Sequence, residues 1–300
     1  MKHFHPRALI RACRPRQWTK NLLVFSAPLF SFQFSNWSIW LAAFGAMVSF
    51  CLISSAVYLL NDVLDINADR EHPRKRFRPI AAGIVSVKQA LLTSVLMLMS
   101  SLTIVAFLSA NVIGLILVYA IIQVVYCFRF KHEPLLDIFC IASGFLLRAM
   151  AGGVYLSPWF LLTIGLLALF LAVEKRKAEL KFFQESGVRT RLVLVRYSLP
   201  LLLRLESLLS TSAFMSYSLW AAGPSLNGAS TSWMLLTVPF VLLGIFRYQL
   251  LSDPEESERR SLIYPNRTSE TPEEILLGDR VIRCTLIGWL LVTLLVGVFA

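Results

Sequence analysis

The chain has 300 residues, of which 56% are hydrophobic and only 16% charged. Soluble domains are nearer half apolar and a quarter charged, so this composition excludes a soluble domain with one large core and indicates a polytopic, all-α membrane protein. The formal net charge of +11 does not indicate nucleic acid as a partner, because the basic residues are not gathered into a module and the positive-inside rule accounts for them.

Residues 1–20 form a basic, amphipathic lead-in without a cleavable signal pattern, so the first helix is expected to act as an uncleaved insertion signal. Apolar segments follow at 21–35, 38–60, 89–109, 111–128, 135–156, 158–174, 197–221, 232–251 and 281–299. They predict about nine transmembrane helices around a cytoplasm-facing central cavity, all in a single transmembrane domain spanning 1–300. The short connections near 31–36, 109–111, 155–158 and 223–232 carry no lysine or arginine. The charged loops near 61–88, 129–137, 174–196 and 252–280, with the lead-in, carry nearly all of them. This asymmetry predicts a plasma-membrane protein with its N-terminus and active site cytoplasmic and its C-terminus external. The polar insert Ser252 to Glu274 reads as a cytoplasmic loop or cap. The cysteines Cys13, Cys51, Cys127, Cys140 and Cys284 are scattered and form no metal or disulfide framework.

One stretch concentrates charge. Asn61 to Gly83 reads N-D-V-L-D-I-N-A-D-R-E-H-P-R-K-R-F-R-P-I-A-A-G. On a helix Asp62, Asp65 and Asp69 share one face, with Asn61 four residues before Asp65. Carboxylates at the C-terminal end of a helix oppose its dipole and need a compensating cation. Oxygen ligands of this type suit Mg²⁺, which makes Asn61, Asp62, Asp65 and Asp69 the candidate metal group. Arg70, Arg74, Lys75, Arg76 and Arg78 follow at once. A metal ringed by carboxylates beside a cationic loop fits a diphosphate. The alternative is a solvated positive-inside loop whose aspartates only balance its charge.

Further candidates lie along the chain. Lys20, beside Gln17, Trp18 and Asn21, is either part of an interface belt or a phosphate ligand. In Y-C-F-R-F-K-H-E-P-L-L-D, Lys131 and Asp137 are candidate substrate contacts, and His132 is an interface anchor. Arg148 lies inside an apolar segment, where a buried arginine must meet a partner or a polar cavity; a substrate phosphate or an acidic side chain would serve. E-K-R-K-A-E-L, from Glu174 to Leu180, offers Glu174 and Glu179 as a second acidic site and Lys175, Arg176 and Lys177 as phosphate ligands, or else a basic loop against anionic lipid. Arg204 and Glu206 are expected to form a structural pair between helices. Gly144, Gly152 and Gly153 are expected at helix contacts. No Gly-rich nucleotide loop is present.

N-D-x-x-D-x-x-x-D at 61–69, closing an apolar segment, resembles the first aspartate-rich motif of the UbiA-type intramembrane prenyltransferase superfamily. Four stretches resemble its decaprenyl-phosphate phosphoribosyltransferase branch: R-P-R-Q-W-T-K-N-L-L-V-F at 14–25, R-F-R-P-I-A-A-G at 76–83, A-S-G-F-L-L-R-A-M-A-G-G at 142–153 and K-R-K-A-E-L at 175–180. The resemblance implies transfer of 5-phosphoribose from phosphoribosyl diphosphate to a polyprenyl phosphate, with release of diphosphate, for arabinan precursors of the cell wall. It implies Mg²⁺ as cofactor, Asp62, Asp65 and Asp69 as catalytic residues, and substrate binding by Lys20, Asn61, Arg74, Arg76, Arg78, Lys131, Asp137, Arg148, Lys175, Arg176 and Glu179. A second copy of the chain is a candidate partner. The alternatives are transfer of an isoprenoid chain from a polyprenyl diphosphate to an aromatic acceptor and, from another class, transport of an anionic lipid.

Overall fold

The computed structural model describes residues 5–72, 75–186, 192–253, 256, 259 and 278–299. Arg74 and most of the 252–274 insert lie outside the described residues. The described residues contain helices and no strands, as the composition predicts. They divide into two compact units, one comprising residues up to Leu29 together with Gln33–Tyr155, the other Phe30–Phe32 together with Leu156 onward.

The first unit opens with α1 (Pro6–Ala12), a 3-10 segment (Pro15–Phe25) and α2 (Ser26–Phe30), whose last residue belongs to the second unit. It continues with α3 (Trp37–Leu64), α4 (Ile66–Glu71), α5 (Val87–Val105), α6 (Ala110–Phe128) and α7 (Leu136–Met150). At 1.5 Å per residue the 28 residues of α3 run about 42 Å, longer than a bilayer's apolar core. The charge cluster therefore grows directly from its last turns. Ser86 and Gln89 start α5 with reciprocal caps: Gln89 N donates to Ser86 Oγ at 3.2 Å and Ser86 N donates to Gln89 Oε1 at 3.1 Å. Helices α3 and α5 pack through small hydroxyl residues. Ser94 Oγ donates to the Ala56 carbonyl at 2.8 Å and Ser101 Oγ to the Ser49 carbonyl at 3.0 Å. Such contacts suit apolar surroundings, where close backbone approach and hydrogen bonds replace the hydrophobic effect as the glue. Phe50 and Tyr119 meet edge to face at 5.2 Å in a core that also holds Val24, Ile53, Ile116 and Leu147.

The second unit contains α8 (Pro158–Ser186), α9 (Leu199–Ala221), α10 (Val238–Ser252) and α11 (Arg280–Phe299). Ser198 caps α9 by accepting from Leu201 N at 3.3 Å. Helices α8 and α9 are tied by Thr163 and Ser216, whose hydroxyls lie 3.1 Å apart, while Ser216 Oγ also donates to the Trp159 carbonyl at 2.8 Å. Phe30, Phe160, Trp220 and Trp289 form an aromatic cluster with ring centroids 4.5–5.5 Å apart around Phe30.

Among the described residues six helices are long and apolar enough to cross a membrane: Trp37–Leu64, Val87–Val105, Ala110–Phe128, Pro158–Lys181, Ser232–Ser252 and Arg280–Phe299. The other three expected segments are helical but weaker. Segment 21–35 resolves into a 3-10 stretch and the five-residue α2. Helix α7 has 15 residues, about 22 Å, and α9 is interrupted by Arg204, Glu206 and several serines. Large apolar side chains point outward along the long helices, among them Leu41, Phe44, Leu92, Leu96 and Ile121, as lipid contact requires.

Candidate active site

The acidic residues do not lie on one continuous helix. Helix α3 ends at Leu64, Asp65 adopts φ −93° and ψ 9°, and α4 begins at Ile66. The hydrogen bonds Asp65 N to the Asn61 carbonyl (2.9 Å) and Asp69 N to the Asp65 carbonyl (2.8 Å) carry the helical spacing across the break. The break separates the carboxylates into two groups. Asp62 and Asp69, 2% and 3% exposed, converge on one nitrogen: Arg78 Nη1 donates to Asp62 Oδ1 at 3.1 Å and to Asp69 Oδ2 at 2.7 Å. Asp65 instead accepts from Lys131 Nζ at 2.5 Å and from Asn61 Nδ2 at 3.0 Å. Arg14 adds a second guanidinium to Asp62 Oδ1. The carboxylates need compensating cations at a helix end, and among the described residues three supply them, from the lead-in, from the 76–83 stretch and from the loop after α6.

Two of these cations, Arg78 and Lys131, are expected from the sequence; Arg14 is not. Its only sequence signal is its place at the head of R-P-R-Q-W-T-K-N. Lys20 sits half-buried in the 3-10 segment, and Arg76 is exposed, with its guanidinium 4.9 Å from the Phe77 ring. Asp137 is fully buried in the first turn of α7.

Arg148 is not brought to the acidic cluster. Its Nε donates to Asn21 Oδ1 at 2.6 Å, its Nη1 to the Gly144 carbonyl at 2.7 Å and its Nη2 to Tyr119 Oη at 2.9 Å. Its guanidinium lies 4.8 Å from the Tyr119 ring centroid. The membrane cost of the charge is thus met inside the protein: the arginine ties the 3-10 segment to α6 and α7. One turn on, a Cβ at Gly152 would stand 2.3 Å from the Val24 carbonyl oxygen and 2.5 Å from Ala27 Cβ. That glycine is required by close approach of two backbones, as expected of a helix contact.

The E-K-R-K-A-E-L stretch is the end of a long helix rather than a loop, and most of its charge is turned inward. Arg176 is fully buried and pairs with Glu179, while Lys175 is half-buried. Lys177, 4% exposed, reaches Glu174 Oε1 at 2.9 Å, Glu206 Oε2 at 2.6 Å and Ser252 Oγ at 3.4 Å. The Lys177–Glu174 contact is a buried ion pair. The expected Arg204–Glu206 pair is replaced: Glu206 turns to Lys177, and exposed Arg204 bonds the Pro200 carbonyl at 3.3 Å. The cause is helical phase. Positions two apart on a helix point to different sides, so Glu206 faces α8 while Arg204 faces outward.

The description "UbiA prenyltransferase family" matches residues 22–266. The chain belongs to the UbiA prenyltransferase family. It is a multi-pass membrane transferase. It is 39% identical over 298 residues to the decaprenyl-phosphate phosphoribosyltransferase of Mycolicibacterium smegmatis, covering 94% of this chain and 90% of that protein. With the Corynebacterium glutamicum protein of the same name it shares 38% over 293 residues, covering 94% and 84%. The fold is similar to that of a UbiA homolog from Archaeoglobus fulgidus bound to GPP and Mg²⁺, with TM-score 0.69, 20% identity, and 95% and 99% of the two chains covered.

Among the described residues, no three His, Cys, Asp or Glu side chains converge as a ready-made metal cage. The Asp62–Asp69 pair does converge, with two carboxylate oxygens aimed at one cationic nitrogen. Mg²⁺ is commonly held by one or two carboxylates, with waters and substrate phosphates completing its shell. The donor set therefore fits a metal that arrives with, or is completed by, a phosphorylated substrate.

Proposed function

We propose that this UbiA member transfers 5-phosphoribose from phosphoribosyl diphosphate to a polyprenyl phosphate and releases diphosphate. The observation that carries the reading is the joint one: near full-length similarity to proteins named decaprenyl-phosphate phosphoribosyltransferase, and an acidic cluster in which arginines hold Asp62 and Asp69 and a lysine holds Asp65. A ribosyl 5-phosphate, a diphosphate and a lipid phosphate bring more negative charge than a prenyl diphosphate and a phenol, and a cluster lined by arginine and lysine matches them.

Asp62 and Asp69 would hold Mg²⁺, with Asp65 and Asn61 completing the acidic face. When bound, the metal supplies charge neutralisation for the departing diphosphate. Arg78 and Lys131 orient phosphate oxygens, joined by Lys20, Arg74 and Arg76, with Asp137 fixing the orientation of these cations. Arg148 acts at one remove, by holding the 3-10 segment that carries Lys20. An oxygen of the lipid phosphate attacks C1 of the ribose as the bond from C1 to the diphosphate oxygen breaks. The attacking oxygen is already anionic at neutral pH, so no general base is needed.

This reading places about nine crossings in the plasma membrane, working as one transmembrane domain. The N-terminus and the charged loops are cytoplasmic and the C-terminus external, so the site opens where phosphoribosyl diphosphate is available. The lipid product would then serve arabinan precursor synthesis for the cell wall. Diphosphate release by purified protein tests the reading. Release that needs both the polyprenyl phosphate and Mg²⁺, and that is lost on EDTA addition, is expected; release indifferent to either would overturn it.

A further inference from the structure

Residues 13–21 lie along a single stripe of α3. Cys51, Ser55, Tyr58 and Asp62 are spaced by four, three and four residues and so share one helical face. Their partners run in reverse order along the chain. Asn21 Nδ2 donates to Cys51 Sγ at 3.1 Å, and Trp18 Nε1 donates to Ser55 Oγ at 3.0 Å. Ser55 Oγ also lies 3.1 Å from the Cys13 carbonyl oxygen. Arg14 covers Tyr58, its guanidinium 4.8 Å from the ring centroid, and ends on Asp62. The far end of this strap is fixed by Arg148 on Asn21.

Arg14 itself adopts φ 55° and ψ 59°, the left-handed region that L residues rarely occupy. Strain of this kind persists only where surrounding contacts over-determine it, and it concentrates at functional positions. The strap therefore serves to deliver one guanidinium to the most buried carboxylate of the acidic cluster.

Charge balance says what that guanidinium does. Among the described residues, the three carboxylates Asp62, Asp65 and Asp69 are paired with three cations, Arg14, Arg78 and Lys131. A divalent ion entering this balanced cluster alone would leave two positive charges in excess. A divalent ion entering with a diphosphate would not, and a metal held by Asp62 would take the carboxylate oxygen that Arg14 now occupies, freeing that guanidinium for a phosphate. Arg78 is held by two carboxylates, whereas Arg14 is held by one and rests on the face of Tyr58. We infer that Arg14 is a substrate-binding residue that serves as the internal counter-ion of Asp62 and passes from Asp62 to the donor's phosphate when the metal and diphosphate bind. The inference rests on the phosphoribosyltransferase reading and on the metal at Asp62 and Asp69.

The test uses the purified full-length chain in detergent as wild type, Arg14→Gln, Arg14→Lys and, as a control on the exposed strap, Arg16→Gln. Two quantities are read: the Mg²⁺ concentration giving half of the thermal shift without substrate, and KM for phosphoribosyl diphosphate. In Arg14→Gln the metal no longer displaces a cation, so half-saturation should fall by about three- to tenfold while KM rises by a similar factor. Arg14→Lys keeps the charge but loses the fork, so it should keep the wild-type Mg²⁺ response and still raise KM. Arg16→Gln should match wild type in both. A purely structural Arg14 would weaken both ligands together. A normal wild-type Mg²⁺ shift with unchanged or weaker Mg²⁺ binding in Arg14→Gln, or with unchanged KM in both Arg14 variants, overturns the hand-over alone. A wild type that transfers phosphoribose but shows no Mg²⁺ shift, with none gained in Arg14→Gln, overturns the hand-over alone, and a wild type without phosphoribosyl transfer overturns the functional reading and the hand-over with it.

Discussion

Lys177→Met is expected to destabilise the chain strongly while leaving substrate affinity in the folded fraction nearly unchanged. Lys177 Nζ is the shared cation of Glu174, at 2.9 Å, and Glu206, at 2.6 Å. All three side chains are buried, so solvent screening gives little relief. Methionine fills much the same volume but leaves two carboxylates facing each other without a cation. Breaking a buried ion pair by removing one partner costs about 3–5 kcal/mol. At 2–4 °C per kcal/mol for a chain of this size, the melting temperature should fall by about 6–20 °C. The triple variant Glu174→Gln, Lys177→Met, Glu206→Gln removes the charges together and should recover most of that loss, because a buried triad replaced as a whole is often near neutral. Tryptophan fluorescence during thermal unfolding in detergent reads both variants, and KM for phosphoribosyl diphosphate is measured on the folded protein. A Lys177→Met protein that melts like wild type but shows a large rise in KM would refute the reasoning and return Lys177 to the phosphate ligands.

Asp62→Ala and Asp69→Ala should each abolish turnover in a protein that still elutes as a folded species, and near-normal diphosphate release by both would sink the metal assignment. Gly152→Ala should destabilise by about 1–3 kcal/mol, since its methyl would enter the space of the Val24 carbonyl; an unchanged melting temperature would show that α7 and the 3-10 segment are not so closely seated. Asp279 is held below the usual carboxylate range mainly by its hydrogen bonds from Arg247, at 2.9 and 3.2 Å. Its stabilising contribution is therefore present above the ordinary carboxylate pKa and lost as pH falls through the depressed folded value. Melting temperatures should separate wild type from Asp279→Asn near neutral pH and bring them together in strong acid; a gap that widens on acidification would reverse the sign.

The acidic centre is legible in the sequence because three aspartates cannot hide in a chain this apolar. Its cations are legible only where they are near in sequence or stand alone in a loop, as Arg78 and Lys131 do. Arg14 reaches Asp62 across 48 positions and through a left-handed backbone, and neither leaves a mark on local pattern. The same limit applies to α8. E-K-R-K-A-E-L reads equally as a loop facing phosphate or as a basic loop against anionic lipid; it is instead part of a helix turned inward, and the partner that turns it, Glu206, lies 29 positions from Lys177 and leaves no local mark. Arg148 was legible as a buried charge that needs a partner, but the sequence offers no way to choose Asn21 and Tyr119 over a substrate phosphate. The first apolar segment misled on conformation: Pro15 and Pro28 frame a stretch that folds as a 3-10 strap and a short helix rather than as a regular spanning helix.

The most direct test of the account is a choice of donors. Phosphoribosyl diphosphate carrying label in the ribose is offered with a polyprenyl phosphate and Mg²⁺, and in parallel a polyprenyl diphosphate is offered with a hydroxybenzoate. The account predicts ribose label moving into the organic phase with matching diphosphate release in the first reaction, and no product in the second. Prenylated aromatic product with no transfer of ribose label would contradict it.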